Sequence, residues 1–575
     1  MIDISNRSIG DVFAAAALRH PARDWLIAPA DPARAWHPQG VCIGYARGAA
    51  LVESLARDLA EAGYGPGHRL AFLLGNRPEM LVLKLACNRA GVCWVPVNPD
   101  YRDAEIAWLL QDSGASAAFC TREYETVLRA GLAMAGVDAP IAVLDDDPFA
   151  LHPSPDEGRA PRTASWVPPA RAPAPTGASP PPSSRTREGP VGADTEASLL
   201  YTSGTTGRPK GCILSHGYEL EVGAWYASRG GRIALREGVE RVYCPLPLFH
   251  VNAGILLAFG MIVSGNCQIV AERFSRSRWW AEIRATRASA MHYLGIVVAT
   301  LMNEPPSPDD RDHGLRWGLG AGVEPSLHGA FERRFGCPLV ELWGMTEMCR
   351  ILVDCHEPRR IDTRAMGRPQ PGLEVRVVDQ ADREVAPGER GELLVRHSAG
   401  TPRKGAFSGY LNLPDATEHA WRGGWFHTGD TVFQEADGMV HFVDRSKNII
   451  RRAGENIAAA EVEACLQAHP RVQQVAVLAI DDEVRDEEVM ACVVLAATDT
   501  DAGEDAGAAL ARELFDHAFA RLAYFKAPGW IVFLPGLPVT GTQKIAKHRI
   551  FGEGQDPRRL AGAHDLRALK RRQPR

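Results

Sequence analysis

Residues 70–97 read LAFLLGNRPEMLVLKLACNRAGVCWVPV. Residues 70–74 form an apolar run of strand length, 79–89 are long enough for a helix, and 92–97 make a second strand-length run. Strand, helix and strand in that order compose a βαβ unit, in which the helical crossover leaves the two strands parallel. The stretch therefore predicts an α/β protein built on a largely parallel sheet.

The same alternation recurs downstream, with a strand at 288–294, a helix at 326–335 and a strand at 338–342 just before a glycine-containing turn. Between 147 and 192 the composition shifts to Pro, Ala, Ser and Arg, including PPARAPAPTGASPPPSSRTREGP, with too few large apolar residues to build a core. This part reads as an exposed insertion, with a proline-rich docking segment as the alternative. After 444 the character changes to helices at 459–468 and 508–523 and strands at 475–480 and 489–495, the pattern of a small α+β domain.

At 575 residues the chain exceeds what one hydrophobic core organises. Its 45% hydrophobic and 23% charged residues are the balance of a folded globular protein. A formal net charge of −6 opposes a role in coating nucleic acid, which favours a basic face. The basic end at 569–575 reads as a solvated terminus rather than a binding arm. The 12 cysteines show no CxxC pair or alternating Cys/His spacing, so reduced thiols in a cytoplasm are expected instead of a zinc site or a disulfide framework. The first residues lack a basic-then-apolar leader. The longest apolar run, 254–263, is about half of the ~20 residues a membrane span needs, so it is expected in the core and no integral membrane segment is expected.

Chemistry enters at YTSGTTGRPKG, residues 201–211. Glycines allow close backbone approach, so amide N–H groups can converge on phosphate oxygens while hydroxyls add donors and Lys210 adds charge. The Gly-Lys-Ser/Thr ending of a Walker A loop is absent. Taken alone, the loop predicts a polyphosphate cradle and leaves kinases and other nucleotide users open, with a plain Gly/Ser/Thr-rich turn as the bland alternative.

This segment closely resembles the signature loop of the adenylate-forming superfamily, which includes acyl-CoA synthetases, peptide-synthetase adenylation domains and beetle luciferases. Further stretches resemble the superfamily in the same order: Gly320-Ala321-Gly322-Val323-Glu324-Pro325, Trp343-Gly344-Met345-Thr346-Glu347, Trp425-Phe426-His427-Thr428-Gly429-Asp430, Asp444-Arg445-Ser446-Lys447, 451–457 and 538–545. The resemblance implies a large multi-subdomain N-terminal AMP-binding domain at 1–446, carrying the Pro-rich insertion at about 151–192. It further implies a small mobile C-terminal domain at 447–551 and a tail at 552–575.

The residue roles it implies are specific. Thr202, Ser203, Gly204, Thr205, Thr206 and Lys210 would bind the ATP phosphates. Gly322, Val323, Glu324, Trp343, Gly344, Asp430 and Arg445 would bind adenine and ribose, the Asp430 carboxylate accepting from the sugar's vicinal hydroxyls. Thr346 would contact nucleotide phosphate, and Glu347 would hold Mg²⁺, a hard cation suited to carboxylate and phosphate oxygens. Gly320, where a missing side chain would leave room for ligand, would line the acyl group with His250 and His292. Lys447 would be the hinge, and Ala453 and Gly454 would line the path of the coenzyme A thiol, where many relatives have two adjacent glycines. Lys544 would be the catalytic lysine, preceded here by Gln543 where glycine is usual.

The activity so implied is an ATP-dependent acyl-CoA synthetase that forms acyl-AMP, releases pyrophosphate and transfers the acyl group to coenzyme A. ATP, Mg²⁺ and coenzyme A would be its cofactors and co-substrates, and a homodimer its candidate assembly. PLFHVNA at 247–253 and GAGVEPS at 320–326 are similar to bacterial crotonobetaine/carnitine or short- and medium-chain fatty-acid ligases, with aryl acids open. The alternatives are an enzyme loading a carrier protein in trans and an inactive nucleotide-binding homologue.

Overall fold

The structure, a computed structural model, describes residues 2–144, 151–152, 162–163, 190–202, 209–445, 449–495, 504–538, 545, 547–552, 555–560 and 562–572. The chain divides into two compact units. The first comprises Met1–Pro99, Leu109–Leu200 and Gly211–Asp444, and the second comprises Asp100–Trp108, Tyr201–Lys210 and Arg445–Arg575.

In the first unit the 70–97 stretch folds as strand Arg69–Leu73, helix Pro78–Arg89 and strand Cys93–Pro96. The strands pair in parallel with Arg69 opposite Cys93. Pro78 opens the helix, where its missing N–H is no loss and its φ is already helical. The helix is buried from Pro78 to Asn88, so it shows no polar face, and its one buried ammonium, Lys84, sits 2.7 Å from Glu219. These strands belong to a 7-stranded sheet that also holds Glu196–Thr202 and Lys210–Ser215 as neighbours.

An 8-stranded sheet carries Ala290–Leu294, Gly318–Ala321 and Leu339–Met345 side by side in parallel, with Met348–Val353 antiparallel at its edge. A 5-stranded antiparallel sheet contains Arg390–Arg396 and Phe426–Gln434. The apolar run at 254–263 is core: a π-helical turn, Asn252–Leu257, leads into helix Ala258–Ser264, and every residue from Ala253 to Ser264 is buried. Among the described residues no helix is long and apolar enough to cross a membrane.

The second unit is organised by a 6-stranded sheet around the hairpin Val472–Asp482 and Asp486–Leu495, with helices Ala459–Gln467 and Glu504–Arg521. The basic end is solvated only in part, since Lys570 is buried while Arg571 and Arg572 are exposed. Ala563–Asp565 pairs antiparallel with Trp530–Phe533, and Lys570 is buried against Glu488. An exposed sheet edge and a buried carboxylate both need partners, and this segment supplies them.

Candidate functional site

Strands Glu196–Thr202 and Lys210–Ser215 are adjacent in their sheet, and Thr202 ends one while Lys210 begins the next. Ser203, Gly204, Thr205 and Thr206 lie outside the described residues, as do Lys447 and Lys544 and the side chain of Arg445.

In the first unit, Thr346 and Glu347 occupy the turn between strands Leu339–Met345 and Met348–Val353. Three contacts clamp that turn. The Tyr218 hydroxyl donates to the Thr346 carbonyl at 2.7 Å, the Phe407 amide donates to the Glu347 carbonyl at 3.0 Å, and the Tyr410 hydroxyl donates to Glu347 Oε1 at 2.7 Å. Burial first, then the Glu347 charge, push the Tyr410 phenol far above its ordinary value, so it remains a proton donor. Tyr410 is itself placed by pairing opposite Cys212 in the strand that Lys210 begins.

The residues expected around the nucleoside meet through two buried contacts. Trp343 Nε1 donates to Asp430 Oδ2 at 2.8 Å, joining strands Leu339–Met345 and Phe426–Gln434 of two different sheets. Asp430 follows Gly429, whose φ of +74° belongs to a bulge where the register with strand Arg390–Arg396 shifts. The Gly429 amide donates to Glu392 Oε1 at 2.8 Å, which fixes that bulge and hence the direction of the next side chain.

The second contact centres on Glu341. Its Oε2 accepts from the Gly322 amide at 2.8 Å and its Oε1 from the Tyr293 hydroxyl at 2.7 Å. Burial raises its carboxyl to about 6, opposed by the Tyr293 hydrogen bond. Gly322 has φ +81° and open space where a Cβ would stand, so its glycine serves the backbone conformation. Val323 is buried beside it, whereas Glu324 is exposed and paired with Arg364 at 2.7 Å. At Gly344, a Cβ would approach Ile351 Cγ2 to 2.7 Å.

Two residues expected at the acyl pocket are held by protein neighbours. A Cβ on Gly320 would meet the Tyr293 carbonyl at 2.3 Å and its ring at 2.5 Å, so the neighbouring strand by itself requires glycine at 320. His292 is a core histidine. Its Nδ1 donates to Asn252 Oδ1 at 2.7 Å, its Nε2 accepts from the Tyr226 hydroxyl at 3.0 Å, and burial lowers its pKa to about 3. Both ring nitrogens are thus occupied by protein, and the ring is neutral. His250 is half-buried with its ring 4.4 Å from that of Phe249.

In the second unit, strands Ile449–Arg452 and Glu455–Ala458 are joined by Ala453 and Gly454 alone. Their φ values, +49° and +91°, are the pair of positive angles that a two-residue hairpin turn demands. The Ala453 amide donates to the Arg485 carbonyl at 2.9 Å, and Arg452 is ion-paired to buried Glu488 at 2.8 Å.

Sequence reasoning missed Tyr218, Glu341, Glu392 and Tyr410. Glu341 alone left a trace, as a carboxylate in an otherwise apolar strand. The others act from distant positions through side-chain reach.

A family model described as AMP-binding enzyme matches residues 13–411, and the AMP-binding enzyme C-terminal domain matches 461–544. The crotonobetaine/carnitine–CoA ligase of Citrobacter koseri is 30% identical over 504 residues, covering 85% of this chain and 89% of the relative. Among solved structures, a double mutant of o-succinylbenzoate CoA synthetase from Bacillus subtilis superposes with a TM-score of 0.74 at 23% identity, over 95% of this chain and 98% of that one. An amide bond synthetase from Marinactinospora thermotolerans gives 0.72 at 26% identity, over 94% and 98%.

Proposed function

Because this chain belongs to the AMP-binding enzymes and is an adenylate-forming acid–thiol ligase, we propose that Asp430 binds the ribose of ATP, that Thr346 and Glu347 face its phosphates, and that coenzyme A is the thiol. The observation that carries this assignment is the buried Trp343–Asp430 pair, which presents a fixed carboxylate at a bulge. A carboxylate accepts from two vicinal hydroxyls at once, and the indole N–H fixes its plane.

Glu347 fits a Mg²⁺ site of the kind that takes one protein carboxylate and draws its remaining ligands from phosphate and water. Bound there, the cation would neutralise charge on the phosphates. Tyr410 holds Glu347 by one oxygen and so sets the carboxylate's orientation.

In the first half-reaction the carboxylate oxygen of the acid attacks the α-phosphorus of ATP, forming the acyl–O–P bond as the bond to pyrophosphate breaks. The loop that ends at Lys210 accompanies the leaving group, and Lys544 supplies positive charge to the transferring centre. In the second, the thiol sulfur attacks the acyl carbon, the thiol proton is lost to solvent, and AMP departs. The Ala453–Gly454 turn lies on the thiol's path.

The relatives' names put crotonobetaine and carnitine first in a panel of carboxylic acids that also holds short- and medium-chain fatty acids and aryl acids. The test is acid-dependent ATP–pyrophosphate exchange over that panel, followed by coenzyme A with each hit. Exchange with at least one acid and formation of its thioester are expected. Lys544→Ala is expected to lower exchange by about two orders of magnitude or more, as removal of a transition-state charge does. Exchange with no acid, or at the parental rate in K544A, defeats the assignment.

A further inference from the structure

Resting on that reading of the 453–454 turn, we infer that Lys570 and the segment 562–572 position the thiol-side turn, acting through Glu488 and Arg452. The segment lies beyond the matched C-terminal domain, which ends at 544, yet it is built into the second unit. Ala563–Asp565 adds a strand beside Trp530–Phe533, and the Leu566 amide donates to the Gly529 carbonyl at 2.8 Å. This brings Lys570 to Glu488, and both side chains are 0% exposed.

Glu488 is shared. Its Oε1 takes Lys570 Nζ and the Val489 amide, and its Oε2 takes Arg452 Nε at 2.8 Å. Gly529 leaves the space for it, since a Cβ there would stand 2.5 Å from Glu488 Cδ. Arg452 directly precedes the turn and is opposite Asp486 in register, and the Ala453 amide is bound to Arg485 on the same neighbouring hairpin. A buried carboxylate held by a side-chain donor on each oxygen has one orientation, whereas with one such partner it can turn towards that partner. Lys570 therefore fixes the oxygen that Arg452 grips, and Arg452 fixes the start of a turn whose two residues both hold positive φ. Lys570 is a positioning residue.

The experiment separates the two half-reactions in the full chain, using an acid that supports exchange. Lys570→Met keeps the stem and removes the Nζ donor to Glu488. It is expected to leave ATP–pyrophosphate exchange within about twofold of the parent while raising the KM for coenzyme A about fivefold, because small misplacements of a positioning element are costly in rate. Lys570→Arg is expected to restore most of the thiol step, and deletion of 562–575 to reproduce the loss.

An unchanged thiol step in K570M, beside a slowed one in Arg452→Gln, overturns the role of Lys570 and leaves the turn assignment standing. Equal loss in both half-reactions with a lowered melting temperature reduces Lys570 to a structural ion pair and also overturns it. If Gly454→Ala, which places a Cβ at φ +91°, leaves the thiol step untouched, the turn assignment itself is wrong.

Discussion

The proposed nucleoside side of the first unit and the proposed thiol side of the second are held in different ways. Around Asp430 the supports are hydrogen bonds that finish an already paired backbone: an indole N–H, a bulge amide bound to Glu392, and the Gly322 turn bound to Glu341. Around Ala453 and Gly454 the supports are buried charges, with Arg452 and Lys570 sharing Glu488. Hydrogen bonds between strands give directions that hardly depend on pH once Glu341, raised to about 6, is ionised. A buried ion cluster gives directions that depend on which of its members carries a proton.

The largest expected effect tests the first side. Asp430→Asn retains shape and removes charge, so two hydrogen bonds to a charged group, at ~1.5–3 kcal/mol each, are weakened, and kcat/KM for ATP should fall by about two orders of magnitude. Trp343→Phe should cost about tenfold, the equivalent of one such bond, and should shrink the preference for ATP over 2′-deoxyATP. Steady-state exchange kinetics with both nucleotides decide it. A Trp343→Phe enzyme with the parental preference would show that the indole does not orient the carboxylate.

A smaller effect tests the second side through pH. Burial first, then the nearby Arg452, lower Lys570 to about 7 from its ordinary 10.5, against the pull of Glu488, and Arg485 adds to the lowering. Between these values the unfolded chain keeps a proton that the folded chain has released. Stability from this group therefore rises as pH rises from about 7 towards 10. Lys570→Met has no such proton in either state. The stability of the parent relative to K570M should climb across that window in denaturant titrations at several pH values. A difference independent of pH would mean that Lys570 is not depressed by its surroundings.

The two sides also differ in how far they could be read from sequence. Strand, helix and strand at 70–97 were legible because each element keeps its own period and length, and they pair as expected. Trp343, Glu347 and Asp430 could be picked out as candidates because each sits in a short contiguous stretch whose residue types suit phosphate, cation or diol. The supports were not legible, since Tyr410 reaches Glu347 across 63 positions and Lys570 reaches Glu488 across 82. A lysine near a basic end carries no mark of burial until the strand before it is seen to pair. Gly320 shows the same limit: the Tyr293 contact that requires a glycine there comes from the neighbouring strand and leaves no mark in the sequence.

Ala453 offers the finest test of the thiol side. It holds φ +49°, a conformation that costs a residue with a Cβ roughly 1–2 kcal/mol. Ala453→Gly removes that penalty and adds backbone freedom to the unfolded chain worth roughly 0.5–1 kcal/mol. The two oppose each other, and the net expectation is a stabilisation of about 0.5 kcal/mol, read in urea titration of the second unit's transition. The same substitution clears the one side chain on the turn, so the KM for coenzyme A should fall slightly while exchange is unchanged. A destabilised Ala453→Gly would show that the surrounding charges hold alanine in the left-handed region at little cost, and that the turn is shaped from outside by Arg452 and the Arg485 carbonyl more than by its own two residues.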